Sequence, residues 1–135
     1  MSDAVTDALR DVLAADSSVR LAYLFGSAAR GEQGQRSDVD VAVLAEGPLG
    51  LESTALLAER LERAISFRCR VDVVDLRAAS PVLAAEVVRD GIVLLERDAE
   101  LRFGFEIDAI RRFEDTRPLR RAQHELLREA ARGAS

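Results

Sequence analysis

Gly26-Ser27 and Asp38-Val39-Asp40 stand on either side of ten residues, and each pair borders an apolar run, residues 21–25 before the first and 41–44 after the second. A small residue and a hydroxyl end one expected strand, and two carboxylates open the next. Side chains alternate faces along a strand, so Asp38 and Asp40 share one side while Val39, Val41 and Val43 take the other. Two carboxylates on one face repel each other unless a cation lies between them. Mg2+ supplies that charge, takes oxygen ligands and keeps positions free for phosphate oxygens. Asp72, set between Val71 and Val73, is the best-placed third ligand, because a carboxylate in a valine-flanked strand is costly without a partner. Asp75 falls on the opposite face of an ideal strand and is the second choice.

The remaining groups suit a triphosphate. Gly26 removes a side chain where backbone must approach phosphate. Ser27 is expected to cap a short following helix, whose N-terminus offers N–H groups and partial positive charge to an anion. Arg30, one turn later, and Arg36 in the loop are within reach of phosphate. An Asp-x-Asp pair alone is weak evidence, since surface strands often carry one; the specific feature is its spacing from Gly-Ser together with a third Asp in a later strand. The chemistry these groups serve is two-metal phosphoryl or nucleotidyl transfer, with activation of the attacking oxygen and stabilisation of a leaving pyrophosphate.

The elements that must position them are legible from periodicity. Val5, Ala8, Leu9, Val12 and Leu13 recur at helical spacing, predicting a helix over 3–15. Strands are predicted at 20–25, 38–44 and 70–75, with a helix over 51–66 between the second and third. Ser80-Pro81 is a strong helix start, a capping hydroxyl followed by proline at the first helical position. That helix is expected to stop at Asp90-Gly91 with the glycine as a left-handed cap, and a short strand follows over 92–96. From Asp98 the chain reads as helix to about Gly133, broken at Arg117-Pro118. The order αβ(α)βαβαβαα predicts an α/β (α+β) fold, a mixed sheet with packed helices and further helices at its C-terminal end. One domain is expected over 1–135, with a core at about 3–98 and a helical region at about 98–133.

Composition bounds the alternatives. A chain of 135 residues with 48% hydrophobic and 32% charged residues has the make-up of a globular domain able to bury a core without disulfides. No apolar run approaches a membrane span, and the first residues lack the layout of a signal peptide, so a cytoplasmic location is expected. The single cysteine, Cys69, cannot pair within the chain; one His and one Cys rule out a zinc cluster and leave oxygen ligands for any metal. A net charge of -5 argues against broad nucleic-acid binding. All 19 basic residues are Arg, a bias that runs through the whole chain and reads as codon usage rather than function. His124 is expected as an exposed helix residue, and Cys69 and Tyr23 as core. Phe103, Phe105, Ile107, Ile110 and Phe113 are expected as a packing face of the late helices. Arg111, Arg112, Arg117, Arg120 and Arg121, opposed by Glu114, Asp115 and Glu125, are expected as a salt-bridged helix surface.

The run from Gly26-Ser27 through Ser37-Asp38-Val39-Asp40 resembles the Gly-Ser, ten residues, Asp-x-Asp pattern of minimal nucleotidyltransferases of the DNA polymerase β-like superfamily. Within that group the chain is most similar to MNT-domain antitoxins paired with HEPN-domain toxins, a likeness extended by residues 71–76, Ser80-Pro81-Val82, Asp90-Gly91-Ile92 and Glu96-Arg97-Asp98. It covers residues 20 to about 98; the later helices fit in length and character. The resemblance implies the polymerase β-like fold and transfer of AMP from ATP to a tyrosine of a HEPN ribonuclease, silencing it. It further implies Asp38, Asp40 and Asp72 as Mg2+ ligands and catalytic groups, and Gly26 and Ser27 as holding the triphosphate. Two other readings stand beside it: a binding-only antitoxin that masks its partner, and nucleotidylation of a small molecule such as an aminoglycoside. The small size favours an acceptor carried by another protein.

Overall fold

The structure, a computed structural model, describes residues 3–26, 29 and 38–133. Its elements run α1 (Asp3–Ala15), β1 (Val19–Phe25), β2 (Val39–Ala45), α2 (Gly50–Ala64), β3 (Val71–Asp75), α3 (Pro81–Asp90), β4 (Ile92–Glu96), α4 (Ala99–Asp115) and α5 (Arg117–Gly133). These are the predicted elements, with bounds shifted by a residue or two. The bracketed helix expected after Gly26-Ser27 lies outside the described residues.

The four strands form one mixed sheet in the order β3-β2-β1-β4. β1 is antiparallel to both β2 and β4, and β2 is parallel to β3. A parallel pair needs a crossover, which α2 supplies between β2 and β3. Strand alternation divides the core into two layers. Ala22, Leu24, Val39, Val41 and Val43 face Leu9 and Leu13 of α1 and Leu57 and Leu61 of α2. Leu21, Tyr23, Phe25, Ala42 and Leu44 face the opposite side, where Leu83 and Val87 of α3 and Leu101 and Phe105 of α4 pack.

Caps and one long-range clamp fix the helices. Ser80 accepts the Leu83 N–H at the start of α3, with Pro81 at its first position, as predicted. Asp98 accepts from the Glu100 and Leu101 N–H groups to start α4. Arg97 donates to the carbonyls of Val19 (2.6 Å), Ala14 (2.8 Å) and Asp16 (3.1 Å), closing the C-terminal end of α1 over the sheet. The Ala14 carbonyl lies where a helix end leaves acceptors without partners and carries partial negative charge, and the Val19 carbonyl belongs to β1.

Two expectations are corrected. Gly91 is not a left-handed cap: its backbone is extended, φ -75° and ψ 154°, because α3 runs directly into β4 with no reversing turn. Glycine is needed there for space, since a Cβ would collide with the Val87 carbonyl and stand 3.3 Å from Tyr23 Cδ1. The five late apolar residues also do not form one packing face. Phe105 turns inward, its ring 6.4 Å from that of Tyr23, whereas Phe103 and Ile110 are 68% and 50% exposed. Positions 103 and 105 are about 200° apart around a helix, so they cannot share a side. Tyr23 and Cys69 take the places expected of them: Tyr23 is buried, and half-buried Cys69 packs against the core. His124 is exposed. The arginine surface is salt-bridged in part, through Arg112–Asp108 and Arg117–Glu114.

Candidate active site

The site is built where β1 ends and β2 begins. Gly26 closes β1 with φ 76°, the left-handed region that glycine enters without penalty. A Cβ at this position would stand 2.5 Å from Asp40 Oδ2, nearer than non-bonded atoms approach. Gly26 therefore turns the chain and also leaves room for a carboxylate on the neighbouring strand.

Asp40 sits at the meeting point of three strands. Its antiparallel partner is Phe25 and its parallel partner is Asp72. Neighbouring strands lie about 4.8 Å apart, so the Asp40 and Asp72 side chains leave the sheet side by side. Alternation places Asp40 with Ala42 and Leu44, and Asp72 with Val74, on the face covered by α3 and α4. Asp38, two residues before Asp40 and just ahead of β2, is exposed. The register thus sets Asp72 beside Asp40.

Electrostatics mark Asp40 as the strained member. Burial holds its carboxyl above the ordinary value of 3.8, and the charges of Asp72, Asp38 and Glu86 push it the same way. Glu86, half-buried on α3, was not picked out by sequence reasoning. Nothing in its local pattern distinguishes it from a surface glutamate; the only signal was its place one residue before the inward-facing Val87. Asp75, the second choice for third carboxylate, has other work. It accepts the Leu49 N–H at 3.2 Å and the Arg77 N–H at 3.0 Å, tying the turns around β3 and α2.

These residues suit a divalent cation by donor type and by charge. Their donors are all oxygen, and a dication would relieve the repulsion that raises Asp40. Asp72 Oδ1 lies 3.6 Å from Arg70 Nε. Among the described residues no three acidic, His or Cys side chains are drawn closely enough together to enclose an ion as they stand. A bound cation would therefore compete with Arg70 for Asp72. Ser27, Arg30 and Arg36, expected to hold the triphosphate, lie outside the described residues.

A family model described as Polymerase beta, Nucleotidyltransferase matches residues 7–100, a span that begins within α1 and runs past the end of β4. The chain belongs to this family. Its sheet, the Gly26 turn and the paired Asp40 and Asp72 all fall inside the matched span. Among characterised relatives, the protein adenylyltransferase MntA of Shewanella oneidensis is 44% identical over 85 residues, 62% of this chain and 60% of that protein. The match thus spans less than two thirds of the relative's length. Solved structures extend the likeness further. A chain of a toxin-antitoxin crystal structure with AMP-PNP is 32% identical, covers 90% of this chain and 97% of its own, and superposes with a TM-score of 0.81. A chain from the tri-AMPylated Shewanella oneidensis HEPN toxin in complex with an MNT antitoxin is 29% identical, with coverages of 94% and 98% and a TM-score of 0.78. Among the described residues no helix is long and apolar enough to cross a membrane.

Proposed function

We propose that this nucleotidyltransferase moves AMP from ATP onto a tyrosine hydroxyl of a HEPN-type partner toxin, silencing it, and so acts as an antitoxin in the cytoplasm. The observation that carries this reading is the registered pair Asp40 and Asp72 beside a glycine turn that has no room for a side chain. The relatives crystallised with AMP-PNP and with an AMPylated HEPN toxin support the choice of nucleotide and acceptor.

Asp38, Asp40 and Asp72 are the residues that would hold Mg2+, two ions in this reading. When bound, the metal supplies charge neutralisation at the phosphates and activation of the attacking oxygen. The chain's own part is to position. Gly26 keeps the approach to Asp40 open, and Ser27, Arg30 and Arg36 hold the triphosphate. The acceptor oxygen forms a bond to the α-phosphorus as the bond to the bridging oxygen breaks; pyrophosphate departs with the electron pair, and a carboxylate of the site accepts the hydroxyl proton. A single domain over 1–135, its core at about 3–98 followed by C-terminal helices, completes the proposal.

The test is to incubate the chain with α-labelled ATP, Mg2+ and a HEPN-type toxin. Label should appear on the partner's tyrosine and its ribonuclease activity should fall, and Asp40→Asn or Asp72→Asn should abolish both. Neutralisation that survives both substitutions, with no label transferred, would replace this reading with masking by binding alone.

A further inference from the structure

α5 is a helix of 17 residues with no buried residue. At about 100° per residue, Leu119, Ala122, Leu126, Leu127 and Ala130 fall within one arc roughly 140° wide that also holds Gln123; Arg120 borders it, and Arg117, Arg121, Arg128 and Arg132 occupy the opposite side. Leu119, Leu126 and Leu127 are 62%, 65% and 70% exposed. A helix of this length is marginal in water by itself and ordinarily gains its stability by packing such an arc. Its own fold holds it mainly near its first turn, where the Arg120 guanidinium lies 3.9 Å from the centre of the Phe113 ring and donates to Thr116 Oγ1 at 2.9 Å.

Three further observations say what covers this arc. α5 lies beyond residue 100, where the family match ends, so it is an addition to the nucleotidyltransferase core. The chain from the HEPN-MNT complex covers 94% of this chain, and the remainder is too short to omit a helix of 17 residues. A counterpart of α5 therefore exists in a chain crystallised with its partner. Finally, five arginines against two glutamates give α5 a charge of +3 in a chain of -5, leaving -8 on the rest. That asymmetry steers an acidic surface toward α5.

We propose that α5 is the docking element for the protein that accepts the nucleotide, its leucine arc seated against partner helices whose apolar seam is bordered by carboxylates. This rests on the proposed function and adds where the acceptor protein is gripped. A membrane fits less well, because the arc carries no aromatic residue to anchor it at a lipid interface.

The experiment measures binding of the full chain to the HEPN-type toxin used in the transfer assay, for wild type, Leu119→Gln/Leu126→Gln and Arg121→Gln/Arg128→Gln. The leucine pair should weaken binding at least about thirtyfold, as for two buried interface anchors. The arginine pair should slow association and flatten its salt dependence. Both variants should keep the wild-type melting temperature and AMP-PNP affinity, since the replaced side chains are exposed and outside the core. Wild-type affinity in the leucine variant, with label transfer intact, overturns the docking site and leaves the proposed function standing. Failure of the wild type to bind that protein removes the proposed function and this inference with it. A wild-type dimer that the leucine pair dissociates assigns the arc to a second copy and overturns the proposal. So does binding to phosphatidylserine vesicles that the leucine pair abolishes while partner affinity stays unchanged.

Discussion

Replacing Gly26 with alanine tests whether this residue exists to accommodate Asp40 or only to turn the chain. Two costs are separable. The backbone at φ 76° charges any residue with a Cβ about 1–2 kcal/mol. The Cβ would also stand 2.5 Å from Asp40 Oδ2 and 3.4 Å from its Cγ; forcing the carboxylate aside costs about 1–3 kcal/mol more, as overpacking does elsewhere. Gly26→Ala should therefore lose about 2–5 kcal/mol in urea denaturation. In an Asp40→Ala background the two offending atoms are gone, and the remaining contact, Asp40 Cβ at 3.7 Å, is ordinary. Only the backbone cost should survive, so the double-mutant cycle should show coupling of at least about 1 kcal/mol. Transfer of labelled AMP by Gly26→Ala should fall about a hundredfold, the usual consequence of displacing a catalytic group by about 1 Å. Equal destabilisation in both backgrounds, or near-normal transfer, would refute the claim that Gly26 makes room for the carboxylate.

Asp40→Asn should raise the melting temperature near neutral pH while abolishing transfer. Because the folded carboxyl titrates above its unfolded value, wild-type stability is fullest below the unfolded pKa and is lost as pH rises through the folded one; melts of the two proteins should converge toward pH about 4. Asp16 has the opposite sign. The Ser18 hydroxyl holds its carboxyl low, helped by the Ser18 N–H and Arg60, so Asp16→Asn should destabilise at pH 7 by at most about 1 kcal/mol after solvent screening, with the deficit vanishing in acid. Arg97→Ala, which frees the carbonyls of Val19, Ala14 and Asp16, should cost about 2–4 kcal/mol in chemical denaturation; a loss below about 0.5 kcal/mol would show the clamp to be idle. Gly91→Ala, at an ordinary φ of -75°, should cost about 1–3 kcal/mol from crowding against the Val87 carbonyl and Tyr23 alone, and a neutral result would mean that α3 and β1 can part.

The site was legible in the sequence to the extent that strand alternation governs it. A period of two put Asp38 and Asp40 on one side, and valine-flanked Asp72 was the best-placed third carboxylate; that Asp40 and Asp72 leave the sheet side by side came only with the register. Gly26 was read as a point of close approach to phosphate; that it also makes room for Asp40 is a contact across 14 residues that no local pattern encodes. Arg97 entered the sequence reading only within the Glu96-Arg97-Asp98 likeness, and the clamp it makes was silent. An arginine after a strand is unremarkable in sequence, and its guanidinium acts on carbonyls more than 75 residues away. Gly91 was misread because a glycine after a helix usually marks a left-handed cap, whereas here the crowding comes from Tyr23 on another strand.

The charge arrangement turns on Asp40 standing on an inner strand, β2, beside Asp72 on the edge strand β3. Asp40 lies on β2, which has β1 on one side and β3 on the other, so its backbone is held from both sides and cannot retreat when the carboxylates repel. The unfavourable protonation balance at Asp40 is then stored in the side chains and not relaxed by the strand. A ligand that binds only the folded chain and supplies positive charge recovers that energy on binding. Asp40 is fixed in place by β2, whereas Asp38 is exposed and Asp72 half-exposed beside Arg70, so a cation that arrives meets one rigid carboxylate and must draw Asp72 away from a guanidinium.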